Sequence, residues 1–215
     1  MALAAWENTD TERRVEVPWM LARLGRVPRL LDVGSAGAPY LDELAARADE
    51  LFLLDPRPVD APQGAVAFAS SITAVHPFWD EFFDVVTCIS TLDHVGLAAY
   101  GLPAEDGALE KAAGELWRVL RPGGRLLLTT PAGRDLLTTH PEGGQRVFSL
   151  AALEALFPPA RWRWLDTSCW RLRKNRYVPA AWNDIAEAGY AGHRAAGVLA
   201  VELEKADWSP IGGID

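Results

Sequence analysis

The apolar positions of this chain fall into two alternating patterns. Short runs at Arg29–Val33 and Leu51–Leu54 read as strands, Ala65–Phe68 as a shorter one, and Phe82–Ile89, apolar nearly throughout, suits a central strand covered on both faces. Between them lie stretches of helical period. Thr11–Leu24 puts Val15, Trp19, Leu21 and Leu24 on one face, with Pro18 limiting or kinking the helix, and a second helix begins at Tyr40. The most regular helix is Ala108–Leu120, where Leu109, Ala112, Ala113, Leu116, Val119 and Leu120 recur and Asp106 is placed to cap. Arg121-Pro122-Gly123-Gly124 stops it before a strand at Arg125–Thr130. Ser149 then caps a short helix to Leu156. Arg161–Trp170 reads as a strand, Ala180–Ala188 as a helix and Gly197–Leu203 as the last strand.

This alternation predicts an α/β fold. Five β-α units followed by two further strands suit a seven-stranded sheet. The expected division is an N-terminal helical cap over 1–26, a main domain over 27–205 and a C-terminal tail over 206–215. Leu92–Glu105 is long for a loop, and loops at strand tips are where function concentrates.

At 215 residues the chain suits one domain with a substantial core, or one domain plus a small appendage. A net charge of −8 argues against nucleic acid or anionic lipid as a partner. The local basic stretch Arg171, Arg173, Lys174 and Arg176 reads as a solvated strand end or loop. Cys88 and Cys169 lie in no metal-ligand spacing, which predicts no metal site, no disulfide and a reducing compartment. Met1–Arg14 lacks a secretory pattern and no apolar run approaches a membrane span, so a cytoplasmic location is expected.

The candidate chemistry sits at the tips of the first two strands. Leu30-Leu31-Asp32-Val33-Gly34-Ser35-Ala36-Gly37-Ala38 reads as a strand, a small-residue turn and a helix start, and Asp55 ends the next strand. Small residues let a ligand reach the backbone, and an acid at the second tip can bind ribose hydroxyls. The turn lacks full G-x-G-x-x-G spacing and Asp32 stands directly before its first glycine. Both points lead away from a plain NAD site toward a relative of it.

Taken with Phe83-Asp84-Val85-Val86 and Leu116-Trp117-Arg118-Val119-Leu120-Arg121-Pro122-Gly123-Gly124 and Leu126–Pro131, these residues resemble a class I S-adenosylmethionine-dependent methyltransferase (type 11-like) over about residues 12–205. Glu16-x-Pro18-Trp19, Ile89–Leu97 and Arg146-Val147-Phe148 are similar to a little-characterised bacterial subgroup of that family. The resemblance implies a Rossmann-like three-layer αβα sandwich with a mostly parallel seven-stranded sheet, its last strand antiparallel. It also implies S-adenosyl-L-methionine as cofactor. The implied reaction is in-line displacement of methyl to an O, N or C nucleophile of a small molecule or glycan precursor, with a homodimer allowed.

The same resemblance assigns candidate residues. Asp32 would hold the methionine amino group, against the plainer reading of a carboxylate accepting backbone N–H bonds. Gly34, Ser35, Ala36 and Gly37 would admit the cofactor, although the family commonly has glycine where Ala36 and Ala38 stand. Asp55 would grip the ribose, with Pro56 behind it. Ser71 and Ile72 would border adenine, Ser71 standing where the family often has an acid. Ser90 and Thr91 would lie near the methyl group. His94 is the candidate general base or pocket wall, with Asp93 to orient it. Trp19, Tyr40 and Tyr100 are candidate aromatic walls. Asp84 reads as structural, and the late Trp162, Trp164, Trp170 and Trp182 as core or as a substrate or dimer surface. Besides a nucleic-acid methyltransferase, disfavoured by the charge of −8 and the lack of an Asn/Asp-Pro-Pro-Tyr-type motif after the fourth strand, two rivals stand beside this reading. One is a degenerate cofactor-binding partner subunit without turnover, suggested by Ala36, Ala38 and Ser71. The other is an NAD(P)-dependent oxidoreductase, disfavoured by the missing glycine spacing.

Overall fold

The computed structural model describes residues 11–74, 79–140 and 143–207. Most of the predicted tail, and the first ten residues of the predicted cap, lie outside the described residues. In chain order the first half holds α1 (Arg13–Leu24), β1 (Val27–Val33), α2 (Leu41–Ala45), β2 (Ala48–Asp55), β3 (Val66–Ala69), β4 (Phe83–Ile89), α3 (Ala108–Val119) and β5 (Leu120–Pro131). The second half adds a hairpin of β6 (Leu136–His140) and β7 (Gly143–Val147), then α4 (Leu150–Leu156), β8 (Trp162–Arg173) and β9 (Arg176–Ala180). It closes with α5 (Trp182–Ile185), a two-residue pair β10 (Tyr190–Ala191) and β11 (Arg194–Ala195), and β12 (Gly197–Lys205).

Eight strands form the main sheet in the order β3-β2-β1-β4-β5-β12-β8-β9. The first five pair in parallel, and the last strand of the chain, β12, inserts antiparallel between β5 and β8. All seven predicted strands are present. The eighth, β9, folds back on β8 through Lys174 and Asn175, whose φ values of 45° and 65° are both positive, as a tight hairpin turn requires. The basic stretch is therefore the two sides of a hairpin at the sheet edge.

Alternation along the strands sends side chains into two cores, one per face. Leu30, Leu53, Val85, Leu127 and Ala200 pack with Val17, Met20 and Leu24 of α1 and Leu41 and Leu44 of α2. Their neighbours Leu31, Leu54, Val86, Leu126, Leu128 and Leu199 face the other way, onto Ala112, Leu116 and Val119 of α3 and Leu153 of α4. Trp162 is fully buried, and Trp164 and Trp182 pack against that second core. Among the described residues no long helix covers β2 and β3 on this side. A short 3₁₀ turn at Ile72–Ala74 and the edge-to-face rings of Phe52, Trp79, Phe82 and Phe83 fill the space.

Several local expectations are corrected. The buried face of α1 is Glu16, Val17, Trp19, Met20 and Leu24, so a carboxylate joins the apolar stripe. Gly107 at φ 69°, not Asp106, precedes α3, and no side chain caps it. The helix expected over Ala180–Ala188 is only the four residues of α5. Ser149 does cap α4, accepting from the Ala152 N–H at 3.1 Å. Asp84 is structural, accepting from the Arg29 N–H and the Arg121 guanidinium. Cys88 and Cys169 are both free and buried. Among the described residues no helix is long and apolar enough to cross a membrane.

Candidate active site

The carboxyl-terminal tips of β1, β2 and β4 open into a cavity of about 470 Å³, which the segment after β4 covers. Its wall includes Gly34, Ala36, Gly37, Asp55, Pro56, Ser71, Ile72, Ser90, Thr91 and His94, so most of the sequence-derived residues converge on one space. Asp32, Ser35 and Asp93 are fully buried and stand outside that wall.

Asp32 is a brace beneath the turn. Its carboxylate accepts from Thr87 Oγ1 at 2.6 Å and from Ser35 Oγ at 2.8 Å, which ties β1 to β4 and to the turn. Burial pushes its carboxyl up to about 6, against the pull of those two hydroxyls. Above it, Gly34 has φ 84°, and a Cβ there would fall 2.1 Å from Thr91 Oγ1. Thr91 packs so closely because its hydroxyl donates to the Val33 and Ile89 carbonyls, both at 3.1 Å. Gly37, at φ 74°, is different: a Cβ on it would meet nothing within 4 Å. That is room for a ligand. Ala36 and Ala38 are not among the residues at positive φ, so the departure from glycine there costs no backbone strain.

Asp55 accepts four hydrogen bonds. Oδ1 takes the Arg57 N–H and Nε at 2.9 Å each, while Oδ2 takes the Ala36 N–H at 3.0 Å and Arg57 Nη2 at 2.9 Å. Burial raises its proton affinity, but the Arg57 guanidinium and the two amides outweigh this and leave the carboxyl below its ordinary value. Ile72 is buried, and Ser71 Oγ is turned toward the Thr73 N–H and hydroxyl.

The hydroxyls at the tip of β4 face inward, not into the cavity. Ser90 Oγ donates to Glu16, and Thr91 Oγ1 to the two carbonyls already named. Glu16 also accepts from Thr129 Oγ1 at 2.8 Å and from Arg13 Nη1 at 3.1 Å, and Arg13 completes the cavity wall from α1. Glu16 was legible only as part of a family-like motif, and Arg13 was missed. Its signal was an arginine one helical turn before a glutamate on a face that the apolar pattern buries.

His94 holds both ring nitrogens in contacts. Nδ1 lies 3.0 Å from the Gly144 carbonyl, which can only accept, so Nδ1 carries a proton. Nε2 is 3.3 Å from the Tyr100 hydroxyl and 3.3 Å from Asp93 Oδ2, and Asp93 in turn accepts from Gln145 Nε2 at 2.9 Å. Of the three aromatic candidates only Tyr100 lines the cavity. Trp19 and Tyr40 belong to the core on the α1 face. Arg57 was also missed: it stands between Pro56 and Pro58, which only mark the end of a strand.

Residues 31–128 match the family model described as a methyltransferase domain. No curated protein matches the chain. Among solved structures it is similar to Burkholderia thailandensis 1,6-didemethyltoxoflavin-N1-methyltransferase with bound S-adenosylhomocysteine, at 15% identity and TM-score 0.64, over 95% of this chain and 80% of that one. It is similar also to the N-methyltransferase NodS from Bradyrhizobium japonicum, at 14% identity and TM-score 0.60, over 94% and 99% of the two chains. A third likeness is to the 4+2 cyclase SpnF, at 19% identity and TM-score 0.61, over 94% and 85%. Residues 31–128 carry a methyltransferase domain, and the fold resembles that of the class I S-adenosylmethionine-dependent methyltransferases. The cofactor of that class is S-adenosyl-L-methionine.

Proposed function

We propose that this chain moves a methyl group from S-adenosyl-L-methionine to an O, N or C nucleophile of a small molecule or glycan precursor. The observation that carries the reading is the single cavity joining the Gly34–Gly37 turn and Asp55 at one end to His94 at the other. The cofactor supplies a methyl group already activated on a sulfonium, so the protein's work is alignment and exclusion of water. Asp55 takes the ribose diol, Gly37 and Ala36 admit the cofactor to the backbone, and Ile72 with Ser71 borders the adenine. Asp32 and Ser35 hold the turn in shape from below. Ser90 and Thr91 fix the floor, and His94 faces the acceptor as base or pocket wall, with Asp93 behind it. The small-molecule N-methyltransferases among the similar structures and the net charge of −8 both favour a small acceptor over nucleic acid.

The partner-subunit reading loses one of its supports, because Ala36 and Ala38 sit at ordinary φ. The test is calorimetry with S-adenosylhomocysteine on the wild type and Asp55→Ala. Binding to the wild type, weakened about ten- to a hundredfold by loss of charge-assisted hydrogen bonds, is the expected result. Thermal stabilisation by NAD and not by S-adenosylhomocysteine would remove the proposal.

A further inference from the structure

Along one wall of the cavity, Asp55, Arg57, Tyr100 and His94 form an unbroken series of contacts. A carboxylate offers about four lone-pair positions. Asp55 has four donors on it, three of them from Arg57. An incoming diol therefore has no free position on Asp55 until the guanidinium lets go. Held as it is, that guanidinium lies over the Tyr100 ring, 4.3 Å from its centroid. The Tyr100 hydroxyl reaches His94 Nε2 at 3.3 Å. With Nδ1 donating to Gly144, the other ring nitrogen, Nε2, is held between the Tyr100 hydroxyl and Asp93 Oδ2, each at 3.3 Å. That ring atom is thus shared between a buried carboxylate and a hydroxyl seated against Arg57.

The seat of Tyr100 is itself poised to change. It occupies a tight turn in which the Leu102 N–H donates to the Ala99 carbonyl at 2.9 Å, with Tyr100 at φ 53° and Gly101 at φ 78°. A bulky residue at positive φ is disfavoured, so the contacts with Arg57 and His94 help to hold the turn where it is.

Resting on the methyltransferase reading, we propose that Arg57 and Tyr100 are positioning residues that couple the donor end of the cavity to His94. A vicinal diol taken up by Asp55 displaces the Arg57 guanidinium. Tyr100 then loses its cation and releases Nε2 toward the acceptor. Donor binding precedes a competent His94, and an acceptor arriving first meets a covered nitrogen.

The test uses the full chain and long-range nitrogen–proton spectra of its four histidines, with His94 identified through His94→Gln. In the wild type, S-adenosylhomocysteine moves the His94 Nε2 resonance. In Tyr100→Phe that resonance starts near the ligand-bound position and moves little on addition. In Arg57→Gln it also starts displaced, and S-adenosylhomocysteine binds severalfold tighter because no guanidinium competes for Asp55. A merely structural Arg57 gives the opposite result: weaker binding and an unmoved His94. The coupling is overturned if the ligand binds the wild type and His94 stays silent, or if Arg57→Gln weakens binding. Absence of any binding to the wild type removes the donor reading, and the coupling with it.

Discussion

Thr87 and Asp32 face each other on neighbouring parallel strands, and the threonine hydroxyl donates to the aspartate across 2.6 Å in a fully buried setting. This bond, with Ser35 on the other carboxylate oxygen, fixes the distance between the two strand tips that bound the cavity. The carboxylate is a structural member of the site. Its charge is tolerated because two hydroxyls are committed to it.

The Asp32 carboxyl, raised from 3.8 to about 6, makes stability depend on pH with a definite sign. A folded value above the unfolded one gives stability that is complete below 3.8 and fades as pH rises through about 6. The span corresponds to at most about 3 kcal/mol. Glu12, raised to about 7 by burial and then by Glu16, acts in the same sense at higher pH. Urea denaturation at pH 4.5 and pH 7.5 is expected to show Asp32→Asn gaining on the wild type as pH rises. A difference between the two proteins that is independent of pH would contradict this.

Two glycines of the turn are expected to fail in different ways. Gly34→Ala forces a Cβ into Thr91 at positive φ and costs about 3 kcal/mol of folding stability, read as a shift in urea midpoint. Gly37→Ala meets no atom, so only its φ is penalised, at roughly 1 kcal/mol. Its main effect is on S-adenosylhomocysteine binding, because the new methyl group projects where the ligand needs room. Calorimetry and denaturation on both variants separate the two outcomes.

Glu16 gathers Arg13, Ser90 and Thr129 beneath the cavity with no exposure of its own. Glu16→Ala strands those donors and is expected to cost about 3 kcal/mol. Glu16→Gln still accepts hydrogen bonds and is expected to cost about 1 kcal/mol. Equal losses in the two variants would mean that packing, and not the acceptor oxygens, gives Glu16 its weight.

The sequence pattern carried the central strands well because burial alone dictates Leu30–Val33 and Val85–Ile89, which are covered on both faces. It failed where tertiary pairing overrides local pattern. β9 starts at Arg176, in a basic stretch that reads as a solvated strand end or loop, yet it pairs with β8 through a turn that Lys174 and Asn175 permit. At the site, residues flagged by the turn were visible because small size and strand-end acids are rare together. Arg57 and Arg13 were not, since a cation two or three residues from an acid looks the same in a loop as at a cavity wall.

Phe52 meets four other aromatic rings, those of Phe68, Trp79, Phe82 and Phe83. Phe52→Ala is expected to lose about 3 kcal/mol, and Phe52→Leu distinctly less, by chemical denaturation. A cost below about 1 kcal/mol for the alanine variant would show that the neighbouring rings close over the gap.

The hairpin of β8 and β9 decides how the sheet ends. Pro179 offers no N–H for a further rung, and Arg173 and Arg176 place two cations side by side at the rim. Another chain approaching with its own strand finds a broken ladder and like charge. Growth of the sheet from one molecule into the next is therefore opposed at this border.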